Sequence, residues 1–211
     1  MSGSPACGEF AASTDAGLSQ RTALAGPKNR GTARRYMYYS VGMSFVRKTI
    51  RLAPTNYVGF GIYFVTVCCH QRTPYFTDSS FAHFVLNHLA RLSAKHCFSL
   101  PAFCLMPDHL HFLAKGESPD SNLLAFVTAF KQRTTVAHKN RAEGTLWQAK
   151  FYDHILRKPQ DLEAVALYIW ANPVRRGLCE DAAAYAFSGS QMPDWKKLCG
   201  RPSPWKLPWK A

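Results

Sequence analysis

The spacing of apolar residues changes several times along the chain, and each change marks an element. Residues 61–69 are almost continuously apolar, β-branched and aromatic, which predicts a buried central strand. Thr77, Asp78, Ser79 and Ser80 then offer helix-capping side chains. Phe81, Phe84, Val85, His88, Leu89 and Leu92 follow at three- and four-residue spacing, predicting a helix. Residues 98–106 predict a second strand, Pro107 and Asp108 a turn or bulge, and residues 109–115 a third strand. Asn122 opens a second helix with Leu123, Leu124, Phe126, Val127 and Phe130 inside and Lys131, Gln132 and Arg133 outside. Residues 146–148 and 152–156 read as short extended pieces. A third helix starts at Pro159 or Asp161 and carries Leu162, Val165, Ala166 and Ile169. It is expected to end at Pro173, because proline cannot continue the hydrogen-bond ladder. Beyond Leu178 the pattern turns irregular, and Pro202, Pro204, Trp205, Pro208 and Trp209 mark a tail. No internal repeat interrupts this order.

The order β-α-β-β-α-β with one more helix predicts an α+β fold of the ferredoxin-like, split β-α-β kind. Such a fold has an antiparallel sheet with helices on one face and the other face open for a ligand. The folded domain is expected over residues 56–190, followed by an irregular tail over 191–211. Residues 1–55 are rich in Gly, Ser, Ala, Thr and Arg without sustained periodicity and read as a basic, disordered extension. Arg30, Arg34, Arg35, Arg47, Lys48 and Arg51 in it can touch a DNA backbone. The favoured reading is plainer: a leader without such a role, or a start upstream of the true one at Met43.

Charge narrows the partners. With 26 Lys and Arg against 13 Asp and Glu, the net charge of +13 points to a polyanion, nucleic acid ahead of an anionic membrane surface. A basic globular protein without such a partner is the alternative. The hydrophobic content of 47% is enough for a core in 211 residues, which suits one domain plus a tail. Seven cysteines form no C-x-x-C pair and are odd in number, which argues against a disulfide framework and a thiolate zinc site. No apolar run approaches the roughly 20 residues of a membrane span. No charged segment followed by a long apolar stretch opens the chain, so a secretory signal is not expected. The expected location is cytoplasmic.

His109 and His111 are the most informative pair. Alternate residues of a strand share a face, so the two imidazoles project the same way from Cα atoms about 6.5–7 Å apart. At that spacing they can grip one divalent ion; otherwise they are two histidines of a basic domain. Tyr168 and Asn172 lie four apart on one face of the third helix, with Tyr168 at the margin of its apolar stripe. Asn172 is either a third, oxygen ligand or a helix-end residue before proline. Two imidazoles, one amide oxygen and open positions suit Mg²⁺ or Mn²⁺ when a substrate phosphate supplies the rest. Asp108, beside the pair, reads as a turn former rather than a general base. Lys131, Arg133, Lys139 and Arg141, and then Arg157, Lys158, Arg175 and Arg176, can neutralise phosphates or simply be solvated. Tyr63 and Trp147 can stack bases, though burial in the core is the better reading of both.

Pro107-Asp108-His109-Leu110-His111, then Trp147-Gln148, then Phe151-Tyr152-Asp153-His154, then Tyr168 to Asn172 with Arg175, Gly177 and Leu178 beyond it, together resemble the REP-associated tyrosine transposases. These belong to the single-tyrosine HUH superfamily of the insertion-sequence-200-like type, named for His, hydrophobic, His. The resemblance spans residues 57–190. It implies a ferredoxin-like HUH domain that cuts and rejoins single-stranded DNA beside a hairpin, through a 5′-phosphotyrosine intermediate. It further implies a divalent Mg²⁺ or Mn²⁺ held by His109, His111 and Asn172, with Tyr168 as nucleophile. Tyr152 is the rival nucleophile and is read, with His154, as structural or DNA-positioning. The resemblance leaves monomer or homodimer open. Two other readings stand beside it: a non-catalytic single-stranded nucleic-acid-binding module on the same fold, and a metal-dependent phosphohydrolase in which water attacks.

Overall fold

A computed structural model describes residues 52–158 and 161–205. The expectations for the extension up to residue 51, for Pro159 as a helix start, and for Pro208 and Trp209 lie outside the described residues. In chain order the elements are β1 (Ile62–Cys68), α1 (Ser79–Lys95), β2 (Phe98–Met106), β3 (His109–Gly116), α2 (Leu123–Lys139), β4 (Tyr152–Leu156), α3 (Asp161–Trp170), α4 (Asn172–Arg175), β5 (Ser188–Gly189) and α5 (Trp195–Leu198). The strands form one sheet in the order β4-β1-β3-β2-β5, with every neighbouring pair antiparallel. This is the α+β arrangement expected from the pattern.

The helix starts follow the capping side chains. Asp78 accepts from the main-chain N–H groups of Ser80 and Phe81, and Asn122 from that of Ala125, so each satisfies donors the first helical turn leaves unpaired. Both faces of the sheet are covered, which explains why β1 and β3 are buried almost continuously rather than alternately. Tyr63, Val65, Val67, Leu110 and Phe112 face one way, against Phe81, Val85 and Leu89 of α1 and Phe126 and Phe130 of α2. Phe64, Ala102, Cys104 and Leu113 face the other way, against Val165, Ala166, Ile169 and Trp170 of α3. The face expected to stand open for a ligand therefore carries the third helix. Tyr63 and Trp147, considered as base-stacking side chains, are core residues at 1% and 3% exposure.

Two boundaries differ from expectation. Helix α3 ends at Trp170, and Pro173 does not stop the chain's helical path but sits in the first turn of α4. A proline is tolerated in the first turn of a helix, whose own N–H groups have no partner within that helix. The region beyond Leu178 is also more ordered than its irregular pattern suggests. Ser188–Gly189 adds β5 to the edge of β2, and Trp195–Leu198 forms a turn of helix whose Trp195 ring lies 5.3 Å from that of Trp170. Elements of two and four residues are too short to show a period. Gly189 is needed at that edge: a Cβ there would stand 2.2 Å from the Phe103 ring. Among the described residues no helix is long and apolar enough to cross a membrane.

Candidate functional site

His109 and His111 project from β3 onto the face covered by α3, because residues two apart on a strand share a side. Their register neighbours on that face are Thr66 beside His111 on one flank, and Cys104 and Met106 opposite the two histidines on the other. The two Nε2 atoms converge to 3.1 Å. Two nitrogens that each lie about 2.1 Å from one ion, roughly at right angles, are separated by about 3 Å, so this convergence fits a shared divalent cation. Each ring is held from its far side. His109 Nδ1 lies 2.5 Å from Asp108 Oδ1, and His111 Nδ1 lies 2.8 Å from Thr66 Oγ1. A carboxylate only accepts, so His109 Nδ1 carries the proton and Nε2 presents a lone pair when the ring is neutral.

The surroundings favour the neutral form of both rings. Burial lowers His109, with Asp108 pulling it back up and the charges of Arg72 and Arg176 lowering it further. Burial drives His111 well below its ordinary value near 6.5, helped by His109, Arg72, Arg175 and Arg176. Neutral imidazoles are the ones that bind metal. Among the described residues no cluster of three His, Cys, Asp or Glu side chains surrounds them.

Asn172 opens α4, just beyond the end of α3. It is buried at 7% exposure, and its Nδ2 donates to the carbonyls of Tyr168 at 2.8 Å and Ile169 at 3.2 Å. Pro173 has no N–H to offer the Ile169 carbonyl, and the Asn172 amide fills that position. The helix-end role and the ligand role are thus compatible: both carbonyls accept from the nitrogen, which leaves the amide oxygen as the end that can accept an ion.

Tyr168 lies on the same face, its ring centroid 6.1 Å from that of His111. It is buried at 6% exposure rather than marginal on its helix. Phe64 accounts for part of this, stacked on His111 at 5.6 Å and edge-on to Tyr168 at 6.1 Å. Trp205 also covers it, with its ring 5.0 Å from Tyr168 and 5.1 Å from Phe64. Burial raises the phenol, and a hydrogen bond to Arg175 with the charges of Arg175 and Arg176 pulls it back down. The Arg175 guanidinium carbon lies 4.9 Å from the ring centroid. Tyr152 sits on β4 across from Thr66, one strand further from the histidines. Its phenol is pushed up to about 12 by burial and the Asp153 charge.

The cationic residues separate into groups. Arg175 and Arg176 are exposed at the site, while Arg157 and Lys158 are exposed at the end of β4 and Arg133 is exposed on α2, against the opposite face of the sheet. Lys131 donates to the carbonyls of Gln148 and Ala149 at 2.7 and 2.9 Å, so it clamps the chain before β4. Arg141 pairs with Asp78 at the start of α1. Sequence reasoning missed Arg72, whose guanidinium reaches Asp108 at 3.3 Å, and Thr66, Phe64 and Trp205 as members of the site. Their only signal is tertiary approach.

Two outcomes follow for the protein itself. Phe64→Ala removes a fully buried ring and should cost about 3–5 kcal/mol, read as a lower urea midpoint. In EDTA, stability should be full above about pH 6.5 and decline as the pH falls below it. The unfolded histidines protonate near that value while the folded ones resist, so acid favours the unfolded chain. Urea midpoints that stay flat from pH 7.5 to 5 would contradict burial of neutral rings.

The chain is similar to several known proteins. A family model described as "Transposase IS200 like" matches residues 60–172, just over half of the chain. A Haemophilus influenzae protein provisionally named a REP-associated tyrosine transposase is 29% identical over 144 residues, covering 61% of this chain and 78% of that protein. The Escherichia coli K12 REP-associated tyrosine transposase is 23% identical over 133 residues, covering 63% and 78%. A solved REP-associated tyrosine transposase, bound to a REP hairpin, superposes with a TM-score of 0.57 at 22% identity, covering 65% of this chain and 79% of that one.

Proposed function

Since the chain belongs to the IS200-like transposase family, we propose that it nicks and rejoins single-stranded DNA beside a REP-like hairpin, with Tyr168 as nucleophile. The observation that carries this reading is the convergence of the two Nε2 atoms, 3.1 Å apart, on the sheet face where the Tyr168 ring stands 6.1 Å from His111. A phenol is a weak nucleophile near neutral pH. Burial raises this one further, and Arg175 and Arg176 counter part of that rise. The Tyr168 oxygen forms a bond to the scissile phosphorus and the bond from phosphorus to the 3′-oxygen breaks. The products are a 5′-phosphotyrosine and a DNA end that takes up a proton as a free 3′-hydroxyl. Because a phosphodiester replaces a phosphodiester, attack by another 3′-hydroxyl reverses the step and joins strands without ATP.

His109, His111 and the Asn172 oxygen would hold the Mg²⁺ or Mn²⁺. When bound, the ion supplies polarisation of the scissile phosphate and neutralises charge that develops on it. Arg175 and Arg176 at the site, with Arg157 and Lys158 beyond β4, would track the DNA backbone, and Arg133 would serve only a duplex reaching round to α2. Lys131 is the weakest member of that set, given its two main-chain acceptors.

The test is a 3′-labelled hairpin DNA with a single-stranded flank, incubated with protein and Mn²⁺ and run on a denaturing gel. The expected result is labelled DNA that migrates with the protein and is absent in EDTA. Cleavage without an adduct would make the protein a hydrolase, and binding without cleavage a nucleic-acid-binding module. Whether Tyr168 acts on the histidines of its own chain is tested by mixing a Tyr168→Phe chain with a His109→Ala chain: restored activity requires a site shared between two copies.

A further inference from the structure

We propose that Asp108 is a positioning residue for the ion site: it fixes the tautomer and the aim of His109, and is itself held in place by Arg72. The inference rests on the reading of His109 and His111 as ligands. As a plain turn former, an aspartate uses its carboxylate on nearby main-chain N–H groups. Among the described residues the Asp108 carboxylate makes no such bond. Oδ1 faces His109 Nδ1 at 2.5 Å and Oδ2 faces Arg72 at 3.3 Å. The turn is fixed by other means. The Cys69 N–H donates to the Asp108 carbonyl at 2.9 Å and the Phe76 N–H to the Pro107 carbonyl at 3.0 Å, so the segment 69–76 staples it from outside. The side chain is thereby left to the imidazole.

The segment that delivers Arg72 carries backbone strain. Gln71 and Arg72 stand at φ 51° and 58°, two consecutive non-glycine residues in the left-handed region. Such a pair costs free energy and persists where its surroundings hold it. What it achieves is to bring the Arg72 guanidinium, 36 residues away in the chain, onto Asp108. The guanidinium orients the carboxylate, the carboxylate takes the Nδ1 proton, and Nε2 is left bare toward His111. A carboxylate on the outer nitrogen of a ligating histidine fixes the ring and raises its basicity. Thr66 stands at the corresponding position on His111.

Mn²⁺ is titrated into the metal-free full chain, and the free-ion signal is followed by electron paramagnetic resonance for wild type, Asp108→Asn, Asp108→Ala and His109→Ala. Asp108→Ala should weaken Mn²⁺ by about 10- to 100-fold, and Asp108→Asn, which keeps an acceptor oxygen, by less. Hairpin affinity in EDTA and the melting temperature should change little in both. The inference is overturned if Asp108→Ala binds Mn²⁺ within about two-fold of wild type while His109→Ala does not. It is equally overturned if both Asp108 variants lose hairpin affinity and melting temperature in step with Mn²⁺, because that is a structural role. If His109→Ala also keeps Mn²⁺ affinity, the ligand reading itself fails and takes the inference with it.

Discussion

Tyr168→Phe should eliminate the covalent DNA adduct and lower cleavage by at least about 10⁴-fold, the scale on which loss of a nucleophile acts. The substitution is clean because the ring remains. Its contacts with Phe64, His111 and Trp205 at 5.0–6.1 Å involve the aromatic face and edge, not the hydroxyl. Only the Arg175 hydrogen bond is lost, which is worth about 1 kcal/mol, so the melting temperature should barely move. Hairpin affinity should stay close to wild type, since phosphate contacts elsewhere supply it. Tyr152→Phe is the necessary counterpart. Tyr152 lies beyond Thr66 on β4, and its phenol is pushed up to about 12 by burial and by Asp153. Two arginines counter part of the burial effect on Tyr168, whereas the charge that acts on Tyr152 only adds to it. The adduct should survive in Tyr152→Phe. If it vanishes there and persists in Tyr168→Phe, the two tyrosines have been assigned the wrong way round.

How far the site could be read ahead depended on the range of the interaction. The histidine pair was legible because a two-residue period is a local fact, and β3 keeps it from His109 to Gly116. Helices α1 and α2 were legible because each runs 17 residues with a capping side chain in front. The third helix was legible as a helix, but its place was not. That it lies over the histidine face follows from the second apolar surface of the sheet, formed by Phe64, Ala102, Cys104 and Leu113, and a strand apolar on both sides is the trace this leaves. Read that way, the near-continuous burial of β1 already implied a cover on each face. Arg72 and Trp205 leave no such trace. Arg72 reaches Asp108 only through the left-handed turn at 71–72, and Trp205 reaches Tyr168 from a segment whose spacing has no period. Asn172 was read as either a ligand or a helix-end residue. The structure shows the helix-end role, in which its nitrogen donates to two carbonyls, and its oxygen is the end that the proposed ligand role would use.

His109→Ala should abolish cleavage, with a loss of about 10³-fold or more, and leave hairpin binding nearly intact. An ion on a phosphoryl oxygen contributes several kcal/mol to the transition state, and each 1.4 kcal/mol is a factor of about ten. Removing one imidazole leaves His111 and an amide, too few ligands for a divalent ion at ordinary concentrations. Hairpin affinity should hold because it comes from many arginine and lysine contacts with phosphates, so the dependence of affinity on salt should have an unchanged slope. His109 is the better histidine to remove. Both rings are buried, at 5% and 6% exposure, but His111 is also stacked on Phe64 at 5.6 Å and bonded to Thr66, so His111→Ala should lower the urea midpoint further. His109 borders the turn, and its outer partner Asp108 remains paired with Arg72 when the ring is gone. The informative comparison is therefore between the two variants at equal Mn²⁺: equal loss of cleavage, unequal loss of stability. A His109→Ala protein that is folded by circular dichroism and loses hairpin affinity by more than about ten-fold would mean that the ion, not the arginines, anchors the DNA.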